Sequence, residues 1–369
     1  MLDFNELLRH AAERRASDVH LSAGCRPWLR LDGEVASTPF DVLMEGDTEQ
    51  IVRSIMPIER AEQLARAGEV DFGYDAGEGE RFRVRVFRQQ GTLGLVLRVV
   101  PAVVPGFDAL GLPPVVRRLA DEPRGLVLVT GPTGSGKTTT KAAIVDHINE
   151  SFARHIVTVE DPVEFVHAPK RSFVTQREVG TDVPDQRSGL RGVLRLDPDV
   201  LAIGELADPE SVRVALAAAA TGHLVVAALP ATSTTEAIFR IIDLFPPHEQ
   251  RPVRTALAGC LRWVISQRLL ERVDGKGRIP AVEVLMATGR VFDKIVNADE
   301  THELEQVIAE GEYYGMQTFD QSLFGLHKNG LIGLRDALAA ASHPHDLRIA
   351  LQQAGLPVGS LDPATASSW

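Results

Sequence analysis

The hydrophobic positions change their period within the first hundred residues. Residues 2 to 14 repeat at helical spacing and predict an amphipathic helix, whose apolar stripe is Leu2, Phe4, Leu7, Leu8 and Ala11. Strand-like runs follow, and the clearest alternates Phe82, Val84 and Val86 with Arg81, Arg83 and Arg85. The other runs are DVHLS and WLRLDG. With a further helix from about 48 to 68, residues 1–100 are predicted to form a small α+β domain.

The segment that follows, residues 101–114, carries four prolines and two glycines and is predicted to be an interdomain linker. Beyond it, strand-like apolar runs alternate with helical stretches, and this alternating order is typical of a doubly wound parallel sheet. Those runs are GLVLVT, HIVTVE, DVLAIGE and HLVVAAL. From about residue 250 the pattern turns mostly helical, and residues 346–369 are predicted to be a disordered tail.

Composition narrows the class of protein. A chain of 369 residues is long enough for two domains, and no apolar run approaches the roughly 18 residues that a membrane span needs. The N-terminus lacks the unbroken apolar centre of a secretory signal, so we expect a cytoplasmic protein without a membrane span. The net charge of −11 and the lack of a basic run argue against a nucleic-acid partner.

The two cysteines, Cys25 and Cys260, lie far apart in the sequence. They match neither a disulfide framework nor a four-cysteine zinc site. Both are therefore expected to be buried small side chains.

A phosphate-binding loop follows the first apolar run of the second domain. The stretch GPTGSGKTTT at 131–140 meets the pattern G-x-x-x-x-G-K-[ST] between a predicted strand and a predicted helix. In such a loop the backbone N–H groups and the helix N-terminus face phosphate oxygens. Lys137 is expected to neutralise the β and γ phosphates of ATP, and Thr138 to bind Mg²⁺. The expected nucleotide-binding residues are Gly131, Thr133, Gly134, Ser135, Gly136, Lys137, Thr138 and Thr139.

Carboxylates follow two of the later strands. VEDPVE supplies Glu160, Asp161 and Glu164, and DVLAIGE ends on Glu205 in the manner of a Walker B element. Carboxylates after strands often serve only as helix caps. Downstream of a phosphate-binding loop, however, they are expected at the sheet edge where ligands bind. Hydrolysis of ATP needs one carboxylate to position the attacking water and another near the metal. The carboxylates after these two strands are therefore predicted to belong to the site.

Two further features have open alternatives. The arginines of the alternating strand are either a solvated face or include one or two that reach the γ-phosphate, in their own or a neighbouring subunit. His223, in the stretch TGH before HLVVAAL, is either a capping or buried hydrogen-bonding histidine, or a catalytic sensor.

Taken in order and spacing, ten blocks of the chain resemble the type IV pilus retraction ATPases of the PilT/PilU kind, which act in twitching motility. The resemblance covers about residues 5 to 345. The blocks are ASDVHL, ERFRVRVFRQ, GLVLVTGPTGSGKTTT, VEDPVEFVH, TQREVGTD, LRLDPDVLAIGE, AAATGHLVV, RIIDLFPPHEQ, VISQRLL and GMQTFDQSL.

The resemblance implies an architecture and an activity. An N-terminal PAS-like domain (1–100) would be joined flexibly to a RecA-like P-loop ATPase domain (115–345) with a helical C-terminal part. Six copies would form a ring at the base of the pilus, peripheral to the inner face of the cytoplasmic membrane. ATP would bind between the two domains with Mg²⁺, and its hydrolysis would close them. The implied partners are an inner-membrane platform protein and a second retraction ATPase.

The resemblance also implies roles for single residues. Glu164 corresponds to the water activator, Glu205 to the Walker B carboxylate near the metal, and His223 to the first histidine of the family's His box. The family places phosphate-contacting arginines where this chain has Arg81, Arg83 and Arg98. The blocks GMQTFDQSLF and ASHPHDLRIAL favour the PilU-like branch over PilT.

The chain departs from the family's pattern at three places. Pro230 stands where the second histidine of the His box belongs, Ala207 replaces an arginine, and GRVFDKIVNAD is unlike the usual A-I-R-N-L-I-R-E. Loss of one preorganised polar group near the transferred phosphate costs about 10² to 10³ in rate. A weak-turnover accessory subunit is therefore one alternative. A pilus assembly or type II secretion ATPase is another, disfavoured by the small number of cysteines, and a RecA-like helicase is disfavoured by the acidic net charge.

Overall fold

The computed structural model describes residues 3–14, 16–31, 33–77, 80–100 and 103–358. Within these ranges, strands form at β1 (Asp18–Ser22), β2 (Trp28–Leu31), β3 (Glu34–Ser37), β4 (Glu69–Gly77), β5 (Glu80–Gln89), β6 (Thr92–Val100), β7 (Gly125–Thr130), β8 (His155–Glu160), β9 (Phe173–Glu178), β10 (Val200–Glu205), β11 (Leu224–Leu229), β12 (Leu261–Glu271) and β13 (Arg278–Met286).

Helices account for most of the remaining described residues. They are α1 (Phe4–Glu13), α2 (Glu45–Ile55), α3 (Ile58–Ala67), α4 (Phe107–Leu110), α5 (Lys137–Ser151), α6 (Gln186–Val193), α7 (Pro209–Ala220), α8 (Thr234–Asp243), α9 (Pro247–Cys260), α10 (Gly289–Val296), α11 (Leu304–Ala309), α12 (Phe319–Lys328), α13 (Leu334–Ala340) and α14 (Pro344–Gln353). Short 3-10 helices lie at Pro114–Asp121, Leu194–Leu196, Ala298–Glu303 and Glu312–Tyr314.

The chain divides into two compact units. The first contains Met1–Val104 and Asn149–Gly204. Its N-terminal part is an antiparallel sheet in the order β3-β2-β1-β6-β5-β4, and its later part contains three parallel strands in the order β10-β8-β9. The predicted α+β character of the N-terminal hundred residues is thus confirmed.

The N-terminal sheet buries the side chains that its alternation predicted. Phe82, Val84 and Val86 are at most 1% exposed and pack with Leu7 and Leu8 of α1. The first predicted helix is present from residue 4 to 13, whereas Leu2 lies outside the described residues.

The single helix predicted from about 48 to 68 is two helices, so that part of the prediction was wrong. Helix α2 ends at Ile55, and Met56 has an extended backbone before α3 begins after Pro57. A proline disfavours the helical conformation of the residue before it, which explains the break.

The second unit contains Pro105–Ile148 and Glu205–Trp369. Its strands lie in the order β13-β12-β7-β11, with β11 and β12 parallel to β7. All six residues of β7 are buried, as expected for a central strand between helical layers. The four apolar runs named from the sequence are all strands, and the α/β class is confirmed.

The prediction for the tail was wrong in part, and the prediction for the region beyond residue 250 was incomplete. That region is mostly helical, as predicted, with helices from α9 to α14, but it also contains the long antiparallel hairpin of β12 and β13, which the sequence did not predict. Both strands are buried on both faces, so their sequences lack the period-two signal that separates strand from helix. The tail predicted from 346 begins as helix, because Leu347 and Leu351 are buried on one face of α14. Residues 359–369 of that tail lie outside the described residues.

Two other predictions concern the linker and the cysteines. Residues 103–114 of the predicted linker include the short helix α4 with a buried Phe107, and Pro101 and Ala102 lie outside the described residues. The domain boundaries stay a prediction.

Cys260 is buried as predicted, but Cys25 is only half-buried and its thiol donates to the carbonyl of Ser22 at 3.4 Å.

Candidate active site

The phosphate-binding loop is built on glycine geometry. It connects the buried strand β7 to α5, and Gly131, Gly134 and Gly136 all have positive φ angles, of 148°, 80° and 89°. At Gly131 a Cβ atom would lie 2.3 Å from Ser135 Oγ and 2.5 Å from the carbonyl oxygen of Gln267. Both distances are far below van der Waals contact, so this position requires glycine for space as well as for conformation.

The side chains of the loop are arranged for an anion. Lys137 Nζ donates to the carbonyl oxygens of Gly131 at 2.8 Å and Pro132 at 2.9 Å, which holds the ammonium group over the loop. Ser135 Oγ is buried and has no hydrogen-bond partner among the described residues. A buried hydroxyl of this kind fits a phosphate oxygen as acceptor. The first turn of α5 adds backbone N–H groups and the positive end of the helix dipole.

A cavity of about 360 Å³ adjoins the loop. Gly136 and Thr139 form its polar end, and Leu110, Leu269 and Pro280 supply apolar wall. Such a mixture suits a nucleoside whose phosphates sit on the loop. A larger cavity of about 600 Å³ lies near Met316 and Phe324, but none of the predicted site residues lines it. Of these two cavities, the smaller one has residues of the loop and of the first turn of α5 in its wall.

Glu205 lies at the same edge of the sheet as the loop. The backbone N–H of the next residue, Leu206, donates to Ala228 at 2.9 Å, and Ala228 is the register partner of Val129 near the end of β7. The Glu205 side chain is exposed at the carboxyl end of β10. Carboxylate and hydroxyl oxygens are ligands that Mg²⁺ prefers, so Glu205 and Thr138 fit this ion by their chemistry.

His223 lies at the opposite end of the strands. Its carbonyl oxygen accepts from Gly125 N at 2.9 Å, where β7 begins, so a strand of about 17 Å separates it from the loop of its own subunit. The ring Nδ1–H donates to the carbonyl of Ala218 at 3.0 Å and so caps helix α7. The capping alternative describes this geometry, and the structure does not bring His223 to the phosphate-binding loop of the same chain.

Pro230, in contrast, lies at the carboxyl end of the strands, where β7 leads into the loop. It follows Leu229, the register partner of Thr130 at the end of β7. The position that holds the second histidine in the family's pattern thus lies at the end of β7 that leads into the loop, and here it has no imidazole.

In the first unit, each of the three predicted arginines binds a carboxylate. Arg83 and Arg98 are register partners on neighbouring strands, and like charges so placed repel unless each is compensated. The pairs are Arg81 with Glu178 at 2.7 Å, Arg83 with Glu164 at 3.2 Å, and Arg98 with Asp18 at 2.8 Å. Asp18 and Glu178 are buried, whereas Glu164 is about one-third exposed.

Sequence reasoning missed Glu178. It ends β9 within the block TQREVGTD, where its only signal was a charged residue at the end of a strand. Nearby, partial desolvation raises the pKa of Asp161, an effect opposed by the charge of Arg60 and reinforced by that of Glu178. The Asp161 side chain is nevertheless more than half exposed, whereas Val163 and Phe165 of the same segment are buried.

Residues 79–315 match the family described as type II/IV secretion system protein. The chain is also 41% identical over 345 residues to the type IV pilus retractation ATPase PilT of Pseudomonas aeruginosa, covering 94% of this chain and 100% of that protein. The chain belongs to this family of secretion and pilus retraction ATPases.

A second retraction ATPase of the family and a solved structure give the same assignment. The chain is 36% identical over 351 residues to the type IV pilus ATPase PilU of Pseudomonas aeruginosa, covering 95% of this chain and 92% of PilU. The crystal structure of the pilus retraction motor PilT with bound ADP matches with a TM-score of 0.86 and 41% identity, covering 94% of this chain and 99% of PilT. Identity is higher to PilT than to PilU, opposite to the branch that two sequence blocks favoured. No helix within the described ranges is long and apolar enough to cross a membrane.

Proposed function

We propose that this retraction ATPase family member is an ATP-hydrolysing motor that powers or assists type IV pilus retraction. It would work as a homo-hexamer at the cytoplasmic face of the inner membrane, against an inner-membrane platform protein. One observation carries the proposal: a phosphate-binding loop and Glu205 share one sheet edge in a chain that covers the whole length of a named retraction ATPase.

Binding of ATP is assigned to the loop and its cavity. The loop N–H groups and Ser135 Oγ donate to phosphate oxygens, and Lys137 exchanges its two carbonyl partners for phosphate. Thr138 and Glu205 would hold Mg²⁺, which neutralises charge on the phosphates when bound. The nucleoside occupies the cavity formed by Leu110, Leu269 and Pro280.

Hydrolysis is assigned to Glu164, which would orient the attacking water and accept its proton. Its partner Arg83 holds this carboxylate in place until nucleotide is bound. Arg81, Arg83 and Arg98 are the candidates for phosphate contact, and one or two of them would reach the γ-phosphate of the same or a neighbouring subunit. An arginine that does so must exchange its carboxylate for phosphate, which would link nucleotide binding to movement of the N-terminal sheet.

Purified protein tests the proposal directly. Phosphate release from ATP should be measurable and should be abolished by Lys137→Ala and by Glu205→Ala. Lys328→Ala removes an exposed lysine of α12 and serves as the matched control. Native mass measured with ATP should be that of six chains. Turnover that survives Lys137→Ala would overturn the proposal.

A second candidate function is a weak-turnover accessory subunit that acts with a fully equipped retraction ATPase. The observation in its favour is the position of Pro230, directly after the strand residue that pairs with Thr130. Restoring the missing groups with Pro230→His and Ala207→Arg distinguishes the two functions. A rise in turnover of about tenfold or more favours the accessory subunit, since one polar group near the transferred phosphate has about that effect or more. Unchanged and rapid turnover favours the autonomous motor.

A further inference from the structure

Glu178 joins three separate segments of the first unit. Its Oε2 accepts from Arg81 Nη2 at 2.7 Å and from Val163 N at 3.1 Å. Its Oε1 accepts from Gly73 N at 3.0 Å and from Thr181 Oγ1 at 3.3 Å. A carboxylate has about four acceptor positions, so this buried group is fully occupied. The segments are β4, β5 and the acidic loop after β8.

Close packing at Gly73 makes this junction specific. A Cβ atom at Gly73 would lie 2.6 Å from both Arg81 Nη2 and Glu178 Oε2. The φ angle of Gly73 is not in the left-handed region. Glycine is therefore needed here for space alone, and an alanine would separate the arginine from the carboxylate without removing any charge.

The junction lies next to a proposed catalytic residue. Val163, whose N–H binds Glu178, directly precedes Glu164, and Arg81 is two residues from Arg83 on the same face of β5. The Arg83–Glu164 pair thus ties β5 to the acidic loop directly, and the Arg81–Glu178 pair does so through the hydrogen bond from Val163 N to Glu178. The Arg83 pair is about one-third exposed and contributes little by itself, whereas the Arg81 pair has a carboxylate side chain only 4% exposed.

We propose that Glu178 is a positioning residue for ATP hydrolysis: it fixes Val163, and through it Glu164, to the arginine-bearing strand β5. The inference rests on the proposed function, because it gives Glu164 the role assigned there. Glu178 itself touches no reacting atom. Its effect is to make the acidic loop and the arginine strand move together, so that the water-orienting carboxylate keeps one place relative to the arginines.

Three variants test this role. Glu178→Gln keeps the shape but places an NH₂ group where an acceptor is needed, and Gly73→Ala separates the same contact by steric pressure. Arg85→Gln is the matched control, because Arg85 lies on the same strand and pairs with Glu69 at 2.9 Å on the surface. A small displacement of a catalytic group costs about 10- to 100-fold in rate. We expect kcat to fall by about that factor in the first two variants, with KM for ATP within about threefold, and neither to change in the control.

Hydrogen exchange gives a readout that does not depend on activity. The amides of Val163 and Gly73 both donate to Glu178, so Glu178→Gln should speed exchange in the peptides 161–166 and 69–75 together, by about tenfold or more. In the double variant with Gly73→Ala, the loss of kcat should not exceed the larger of the two single losses, since both variants disrupt the contact between Arg81 and Glu178.

The outcomes separate the inference from the proposed function. If wild-type protein turns over ATP, Lys137→Ala does not, and Glu178→Gln keeps the wild-type kcat, the positioning role is overturned while the ATPase function stands. Unchanged exchange in 161–166 also overturns it, whatever the turnover. If wild-type protein has no turnover, the proposed function fails and the exchange result alone decides whether Glu178 fixes the loop. Gly73→Ala keeps every charge and covers the case in which Glu178→Gln does not fold.

Discussion

Arg83 Nη1 and Glu164 Oε1 lie 3.2 Å apart, although the two residues are 81 positions apart in the sequence. The sequence predicted one of them to contact phosphate and the other to activate water. In the structure they are each other's partners. If Glu164 has the proposed role of water activator, an arginine paired with it would have to leave it before contacting phosphate, so we expect the pair to control the rate of the proposed reaction.

Replacing Arg83 tests this control. In Arg83→Gln we expect phosphate release to slow by about tenfold or more, because Glu164 loses the cation that holds it in place. The unfolding free energy should change by less than about 1 kcal/mol, since the pair is one-third exposed on both sides. Steady-state turnover and urea unfolding measure the two effects.

Arg85→Gln, on the same strand, is the control for that experiment and should alter neither quantity appreciably. A variant at Arg83 that hydrolyses ATP at the wild-type rate would contradict the proposed control. A large loss of stability would instead show that the pair supports the fold.

Gly131 tests the loop itself. An alanine there would place its Cβ 2.3 Å from Ser135 Oγ and 2.5 Å from the Gln267 carbonyl, so either the loop or β12 must shift. We expect the affinity for a fluorescent ATP analogue to fall by at least about tenfold, since backbone donors must match the phosphates closely. Gly259→Ala in α9 is the control, because no atom lies within 4 Å of its added Cβ. Equal affinity of both variants would contradict the assignment of phosphate to this loop.

Glu283 predicts a specific pH dependence of stability. Burial raises the pKa of this carboxyl, and a hydrogen bond from Thr234 N at 2.7 Å opposes the shift. Because the folded pKa lies above the unfolded one, the native state holds the proton more tightly. This contribution to the unfolding free energy therefore falls as pH rises from the unfolded value, about 4.3, through the folded value, and is level above it.

Glu283→Gln keeps an oxygen acceptor for Thr234 and removes the titration. The stability of wild type minus that of the variant, from urea unfolding between pH 4 and 8 or so, should decrease as pH rises. Other titrating groups cancel in this difference. A difference that is constant or increases with pH would rule out a raised pKa at Glu283.

The two cysteines should react at very different rates. Burial raises the pKa of the Cys260 thiol to about 11, whereas Cys25 is half-buried. At about pH 8 we expect maleimide to label Cys25 at least about a hundredfold faster, since the thiolate is the reactive form. The variant Cys25→Ser isolates the slow site, and labelling in urea confirms that both thiols are present. Comparable rates in the folded protein would contradict the burial of Cys260.

The phosphate-binding loop could be predicted from the sequence because everything that forms it is local. The apolar run of β7, the glycines and the start of α5 follow one another within about twenty residues, and each acts through its own backbone preference. The alternation around Phe82 and Val84 predicted strand β5 correctly for the same reason, because it too is a local pattern. The break between α2 and α3 is also a local feature, because Pro57 alone accounts for it, but the prediction of a single helix did not take this proline into account.

Other features of the fold could not be predicted from local sequence patterns. The hairpin β12–β13 is buried on both faces, so neither strand shows an alternation of apolar and polar residues. The helix α14 is stabilised by two buried leucines, which pack against residues far away in the sequence. His223 and Pro230 are seven residues apart and occupy the two positions compared with the family's His box, yet they lie at opposite ends of the strand β11. Only the register with β7 decides which of them lies beside the loop.

The amino-acid sequence by itself therefore determined the class of fold, the phosphate-binding loop and the family, since each depends on short segments whose order and spacing are visible in one dimension. The tertiary structure alone decided which charges meet. Arg81 and Glu178 are 97 residues apart, and they pair because strand β5 and the end of β9 are brought together and their junction leaves no room for a side chain at Gly73. A buried ion pair requires two desolvated groups at contact distance, and burial and distance are properties of the packed chain.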